Sequence, residues 1–275
     1  MKEGGFIAKY SICNNELVEN AEVKAGFSVY EVVKIISGIP LFFESHMKRL
    51  SNSLQLSGIS DFIITPKEFL HHVLELCKSN QLYFGNIELR VVSNSGNIDC
   101  YIGFIRHSYP QPMNYISGIE ASLINIERDN PNAKVKYSKA RIEADKFLAE
   151  KDVFEVLLVD DQGYITEGSR SNMFFIKESV VYTAPIENVL PGITRKYVIE
   201  ALRQLGVEFI EQKISIDELQ LIDAVFMCGT SPGILPVRDI DGYGFDVNNK
   251  LLRAIMLRFN DIIKQYVIKN STLGS

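Results

Sequence analysis

The sequence predicts two consecutive α/β domains with an active site between them. Three observations carry that expectation. The chain has 275 residues, 46% of them hydrophobic, more than a single small core requires. Stretches rich in β-branched residues alternate with stretches of helical periodicity in both halves. The run Tyr109-Pro110-Gln111-Pro112-Met113 carries two prolines, which disfavour helix and strand ladder alike and mark an extended linker. The boundaries expected are a smaller N-terminal α/β domain over residues 1–109, a linker over 110–117 and a larger C-terminal domain over 118–275. Clefts between domains are common ligand sites, which places the expected active site there.

Taken in order, Ser28 to Ile36 reads as a strand, and Ser37-Gly38 turns it into a hairpin partner over Ile39–Phe43. Glu44 to Leu56 is helical, with Met47, Leu50 and Leu54 on one face. Thr65-Pro66-Lys67-Glu68 starts a second helix: a Thr cap, a proline in the first turn, and a Glu three residues after the cap. Ile87–Ser93 and Asp99–Ile105 read as strands. In the second half, Gly118–Glu127 is strand-like, Ser138–Glu150 is a charged amphipathic helix, and Val153–Val159 is an apolar strand ending in the turn Asp160-Asp161-Gln162-Gly163. Ser171–Ile176 and Ser179–Thr183 form a hairpin. Gly192–Leu205 is a helix with Val198, Leu202 and Leu205 inward and Gly206 as its C-cap. Ala224–Cys228 is a strand, and Asn248 to about Ile268 a long closing helix.

Composition excludes several classes. The formal net charge of −5 argues against nucleic acid as the main partner, which needs clustered Lys and Arg. Cys13, Cys77, Cys100 and Cys228 form no C-x-x-C pair and fit no zinc spacing, so no metal site is expected and reduced thiols of a cytoplasmic protein are. No segment reaches the ~18–20 consecutive apolar residues of a membrane helix. Residues 1–20 hold no apolar run of signal-peptide length, so the expectation is a soluble, untargeted protein with no membrane partner.

The most informative stretch runs from Thr166 to Arg195. Glu167 sits at a turn beside small residues that permit close approach, a hairpin follows, and Leu190-Pro191-Gly192 opens a helix. Free N–H groups at a helix start bind phosphate, aided by the helix dipole. The amides of Ile193 and Thr194 and the Thr194 hydroxyl are the expected donors. Gly229-Thr230-Ser231, after an apolar strand, is by itself a turn signal.

The order Glu-x-Ser-x-x-Asn-Met-Phe from Glu167, Val181-Tyr182-Thr183, then Leu190-Pro191-Gly192-Ile193-Thr194-Arg195 resembles the signature of class IV aminotransferases, with every fixed position and both spacers filled. That family includes branched-chain and D-amino acid aminotransferases and aminodeoxychorismate lyases. The resemblance extends from about Phe27 to Asp241. It implies a fold type IV pyridoxal-phosphate enzyme, its larger C-terminal domain a pseudo-barrel, working as a homodimer on a small amino acid and a 2-oxo acid. It also implies roles for residues. Arg49, in His46-Met47-Lys48-Arg49-Leu50, would contact the cofactor phosphate, together with Ile193, Thr194 and Thr230. Glu167 would keep the pyridine nitrogen protonated, so that the ring accepts electrons. Thr230 and Ser231 would meet the substrate carboxylate, and Tyr30 the substrate. The Schiff-base lysine falls in Asn132-Ala133-Lys134-Val135-Lys136-Tyr137. Lys134 aligns best, with Lys136 and Lys139 as rivals, and the Asn that usually follows this lysine is missing. A deprotonated amine there would serve as nucleophile and then as proton carrier.

Substrate preference divides. Tyr30-Glu31-Val32-Val33-Lys34 is close to the D-amino acid aminotransferase strand, but Val91 to Gly96 lacks that subfamily's R-x-H carboxylate trap; Arg90 is the nearby cation expected to bind a substrate carboxylate. The expected function is transamination of a branched-chain amino acid through a lysine Schiff base, with aminodeoxychorismate lyase and D-amino acid aminotransferase as alternatives and a non-catalytic binding protein as the reading in which no lysine is modified.

Overall fold

The computed structural model describes residues 7–59, 62–106, 109–128, 130–136 and 138–271; Tyr137 of the lysine segment lies outside them. The chain divides into two compact units. The first comprises Met1–Ser108, Ala133–Lys136 and Ile263–Ser275, the second Tyr109–Asn132 and Tyr137–Ile262. Two stretches that sequence placed in the C-terminal half therefore group with the first unit.

In the first unit, strands β1 (Tyr10–Cys13), β2 (Glu16–Glu19), β3 (Phe27–Ile36) and β4 (Ile39–Pro40) precede helices α1 (Phe43–Leu56) and α2 (Pro66–Asn80), and strands β5 (Phe84–Asn94) and β6 (Asn97–Ile105) follow. They form one antiparallel sheet in the order β2-β1-β6-β5-β3-β4. The β3–β5 register sets Tyr30 opposite Arg90, Val32 opposite Glu88 and Lys34 opposite Asn86. Because strand side chains alternate, those residues share one face, and Val29, Glu31 and Val33 share the other. Val29 and Val33 pack in one core with Met47, Leu50 and Leu54 of α1, the face that their spacing predicted. Helix α2 starts at the predicted reciprocal cap: the Glu68 amide donates to Thr65 Oγ1 at 3.1 Å and the Thr65 amide to Glu68 Oε2 at 2.8 Å.

Two local readings are corrected. The hairpin partner expected over Ile39–Phe43 is only two residues long, because Phe42 takes a left-handed conformation (φ 56°) and the helix begins at Phe43. The β1–β2 hairpin, turned by Asn14 and Asn15 at positive φ, had no apolar alternation to reveal it.

The second unit holds α3 (Pro112–Ser117), β7 (Ile119–Asn125), α4 (Lys139–Lys151), β8 (Glu155–Val159), β9 (Tyr164–Gly168), β10 (Asn172–Lys177), β11 (Val180–Thr183), α5 (Ile193–Leu205), β12 (Phe209–Glu211), β13 (Ile214–Ser215), β14 (Ala224–Gly229), β15 (Gly233–Ile240) and β16 (Tyr243–Gly244). Helix α6 (Lys250–Asn270) starts in this unit and ends in the residues grouped with the first. The strands build a curled, mixed ten-stranded sheet in the order β12-β11-β10-β14-β15-β7-β8-β9-β13, with β16 on β15. One face of its central strands is a continuous core that includes Leu157, Met173, Phe175, Val225, Met227 and Leu235. Of the stretch 109–113 expected to be extended, Pro112 and Met113 instead open helix α3. Pro112 occupies the first turn, where no N–H is needed, and the Gln111 amide donates to Asn114 Oδ1 at 2.8 Å. Strand β15 escaped the sequence reading because Pro236 interrupts it; Pro236 lies opposite Phe226.

Candidate active site

The signature residues of the second unit converge on one carboxylate. Glu167, the penultimate residue of β9, is buried. Its Oε1 accepts from the Arg128 guanidinium at 2.7 Å, and its Oε2 accepts from the Leu190 amide at 3.0 Å, with Asn172 Nδ2 more distant at 3.5 Å. Asn172 also donates to the Leu190 carbonyl at 3.0 Å. Its side chain thus ties the start of β10 to the loop that leads into α5. The turn from Glu167 to Asn172 is itself built on Glu155 of β8. That buried carboxylate accepts from Ser169 Oγ (2.6 Å), the Ser169 amide (3.1 Å) and Ser171 Oγ (2.8 Å).

Helix α5 opens at Gly192. A Cβ built there would lie 1.9 Å from Asn172 Oδ1, so only glycine lets the helix start approach this side chain. No side chain caps the first turn, which leaves early amides of α5, those of Ile193 and Thr194 among them, without helical acceptors. Arg195, one turn in, is structural: its NH2 donates to the Ala184 carbonyl at 2.9 Å and to Glu211 at 2.6 Å. Thr230 and Ser231 lie half-buried in the tight turn that joins β14 to β15, where Gly229 pairs with Gly233.

In the first unit the lysine segment is an added strand. Val135 bridges to Val29, with the Tyr30 amide donating to the Lys134 carbonyl at 3.2 Å and the Lys136 amide to the Ser28 carbonyl at 2.9 Å. The Lys134 amide donates to Ser53 Oγ of α1 at 3.2 Å. With a two-residue period, Lys134 and Lys136 point the same way. Their ammonium groups lie over the Tyr30 ring, 4.8 Å and 5.3 Å from its centre. Lys136 also forms an ion pair with Glu88 at 2.6 Å. Burial pushes the Lys136 amine below its ordinary range, and Glu88 partly offsets that. Glu88 is bound in turn by Arg90, whose Nε approaches to 2.6 Å. Lys139, the third candidate, is exposed at the start of α4 in the second unit.

Arg49 is not an exposed helical arginine. It is buried on α1 and grips Glu31 of β3 through Nε (2.8 Å) and NH2 (2.7 Å). His46, one turn earlier, meets the same carboxylate at 2.7 Å. Burial would raise the Glu31 carboxyl, but the Arg49 charge and the bonds from Arg49 and His46 hold it at about 2. Burial lowers the His46 imidazole, which is therefore neutral at pH 7 and donates from Nδ1.

Arg49, Tyr30, Lys134 and Arg90 therefore lie in the first unit; in the second, Glu167 lies on β9, Ile193 and Thr194 at the start of α5, and Thr230 and Ser231 in the β14–β15 turn. The sequence reading missed Glu31, Glu88, Arg128 and Glu155 as participants. Three of the four share a signal: a lone Glu inside an apolar strand, a position costly to occupy without a partner.

A six-stranded antiparallel unit followed by a curled ten-stranded mixed one, with a lysine strand beside a buried arginine in the first and a pinned carboxylate beside a glycine-opened helix in the second, is the build of a fold type IV enzyme. The profile of the family Amino-transferase class IV matches residues 28–240, and the chain belongs to that family. A relative described as "Putative branched-chain-amino-acid aminotransferase", from Methanocaldococcus jannaschii, is 30% identical over 266 residues, which cover 89% of this chain and 90% of that protein. A Bacillus licheniformis D-alanine aminotransferase is 29% identical over 239 residues, covering 82% and 83%. Among solved structures, the branched-chain amino acid aminotransferase of Escherichia coli superposes with a TM-score of 0.84 at 24% identity, over 93% of this chain and 95% of that one.

Proposed function

We propose that this class IV aminotransferase binds pyridoxal 5′-phosphate through Lys134 and moves an amino group between a small branched-chain amino acid and a 2-oxo acid. The observation that carries the reading is the Glu167 carboxylate, buried and pinned by Arg128 and the Leu190 amide, directly before the amide-bearing start of α5. A buried carboxylate near helix-start donors suits a cationic ring nitrogen and its phosphate tail. When bound, the cofactor supplies the electron sink.

Each residue then has a physical task. Glu167 holds a proton on the ring nitrogen. Arg49, held in one orientation by Glu31, and the Ile193 and Thr194 amides, with Thr230, bind the phosphate. Lys134 would hold the cofactor covalently, and its free amine would carry a proton to and from the substrate Cα. Tyr30 borders that amine, and Thr230 and Ser231 donate to the substrate carboxylate. We also assign the enzyme to the cytoplasm, on its free thiols Cys13, Cys77, Cys100 and Cys228, and to a homodimer, as in its family. No helix among the described residues is long and apolar enough to cross a membrane.

Borohydride reduction of the purified protein followed by peptide mapping tests the assignment. The label is expected on Lys134, and Lys134→Ala loses both the label and about 10³-fold in kcat. Label on Lys136 or Lys139 moves the covalent position; no label on any of the three ends the reading. The β3 sequence Tyr30-Glu31-Val32-Val33-Lys34 and the D-alanine relative favour a second donor of opposite hand, which leucine and alanine assayed as separate enantiomers distinguish.

A further inference from the structure

The face of the first sheet that bears Tyr30 carries more charge than the proposed reaction consumes. Lys34, Lys134, Lys136 and Arg90 are cations on this face, and Lys136 and Arg90 lie nearest one another. Glu88, buried within β5, is bonded to two of them. Its two oxygens are divided: Oε2 accepts from Lys136 at 2.6 Å, and Oε1 accepts from Arg90 Nε at 2.6 Å and from Arg90 NH2. The register fixes this arrangement. Glu88 and Arg90 are two residues apart on one face of β5, and Lys136 reaches them over the Tyr30 ring that lies opposite Arg90. Guanidinium and ammonium groups in this setting are ready-made partners for a carboxylate of any origin. In this chain an internal carboxylate already engages both.

We propose that Glu88 determines substrate specificity: by engaging Lys136 and Arg90 it keeps both cations from the side chain of the bound amino acid and biases the enzyme against a second substrate carboxylate. The inference rests on Lys134 being the covalent lysine, because that places the substrate beside the Tyr30 ring. The charges on Lys136, Arg90 and Glu88 sum to +1. With Glu88 neutralised the sum is +2, and with Lys136 removed it is zero. Preference for a dicarboxylate over an apolar monocarboxylate therefore rises in the first case and falls in the second. One unit charge at this range, partly shielded from water, is worth on the order of a tenfold change in relative binding.

The test uses the holoenzyme and two inert probes, glutarate and 4-methylvalerate, with binding measured by isothermal titration. Glu88→Gln is expected to raise the ratio of glutarate to methylvalerate affinity about tenfold, and Lys136→Met to lower it at least about threefold. Glu88→Gln leaves two buried cations facing a neutral amide; should it not fold, the fall in Lys136→Met alone decides. A merely structural pair weakens both probes in parallel and leaves the ratio unchanged, and that result overturns the proposal. Borohydride mapping accompanies each variant. Label on Lys134 with an unmoved ratio refutes the role of Glu88 alone, whereas label on Lys136 in the wild type refutes both this role and the Lys134 assignment.

Discussion

At the scale of single residues, the first unit depends on Glu31. Its side chain is fully buried, and three bonds from Arg49 and His46 converge on it. The carboxyl titrates at about 2, below its ordinary 4.5. A group depressed in the folded state contributes stability above its unfolded value and loses it as pH falls through the folded one. Glu31→Gln is thus expected to cost about 3–5 kcal/mol at pH 7, the penalty for leaving a buried arginine with a neutral partner. Urea denaturation of both proteins should show the gap between them narrowing as pH drops from about 4.5 towards 2. A gap that stays constant across that window contradicts the ion pair. Glu31 and Arg49 lie 18 residues apart in sequence, Glu155 and Ser171 lie 16 apart, and Arg128 and Glu167 lie 39 apart. Each of these residues is present in the sequence, but nothing local to it names its partner, and for that reason the family motifs were legible and these pairings were not.

At the scale of elements, legibility followed how local the determining physics is. Helix α2 was readable because its cap, its first-turn proline and its apolar period fall within a few residues. The loop from Glu167 to α5 was readable as a motif, yet the reason for its glycine appeared only in three dimensions. At Gly192 the backbone passes so close to Asn172 that a methyl group would displace the amide that steadies Leu190 beside Glu167. Gly192→Ala is expected to fold with a loss of about 1–3 kcal/mol from the forced shift. The same change should weaken cofactor binding at least about tenfold, as the start of α5 moves away from its anchor. Absorbance titration of the apoprotein with pyridoxal phosphate measures this. Full cofactor affinity in that variant would show that the Asn172 contact does not position the helix.

At the scale of the whole molecule, chain order and spatial grouping disagree. The last turns of α6 join the first unit, where the Tyr266 ring packs edge-on against Phe42 at 4.8 Å and its hydroxyl donates to Glu44 at 2.7 Å. Phe42 is a bulky residue in the left-handed region, a conformation that costs about 1–2 kcal/mol and persists only where packing imposes it. Tyr266→Ala should therefore lower the stability of the first unit by about 2–4 kcal/mol. Hydrogen exchange should show faster opening of the β3–β6 amides with little change in β10, β14 and β15; uniform acceleration would contradict a local role. The lysine segment is out of sequence order in the same way, since residues 133–136 belong with β3 although more than twenty residues of the second unit precede them. No single cut of the polypeptide therefore yields a self-sufficient half. A recombinant fragment ending near residue 108 would lack the strand that Val135 adds beside Val29, and the complementary fragment would carry that strand without its partner.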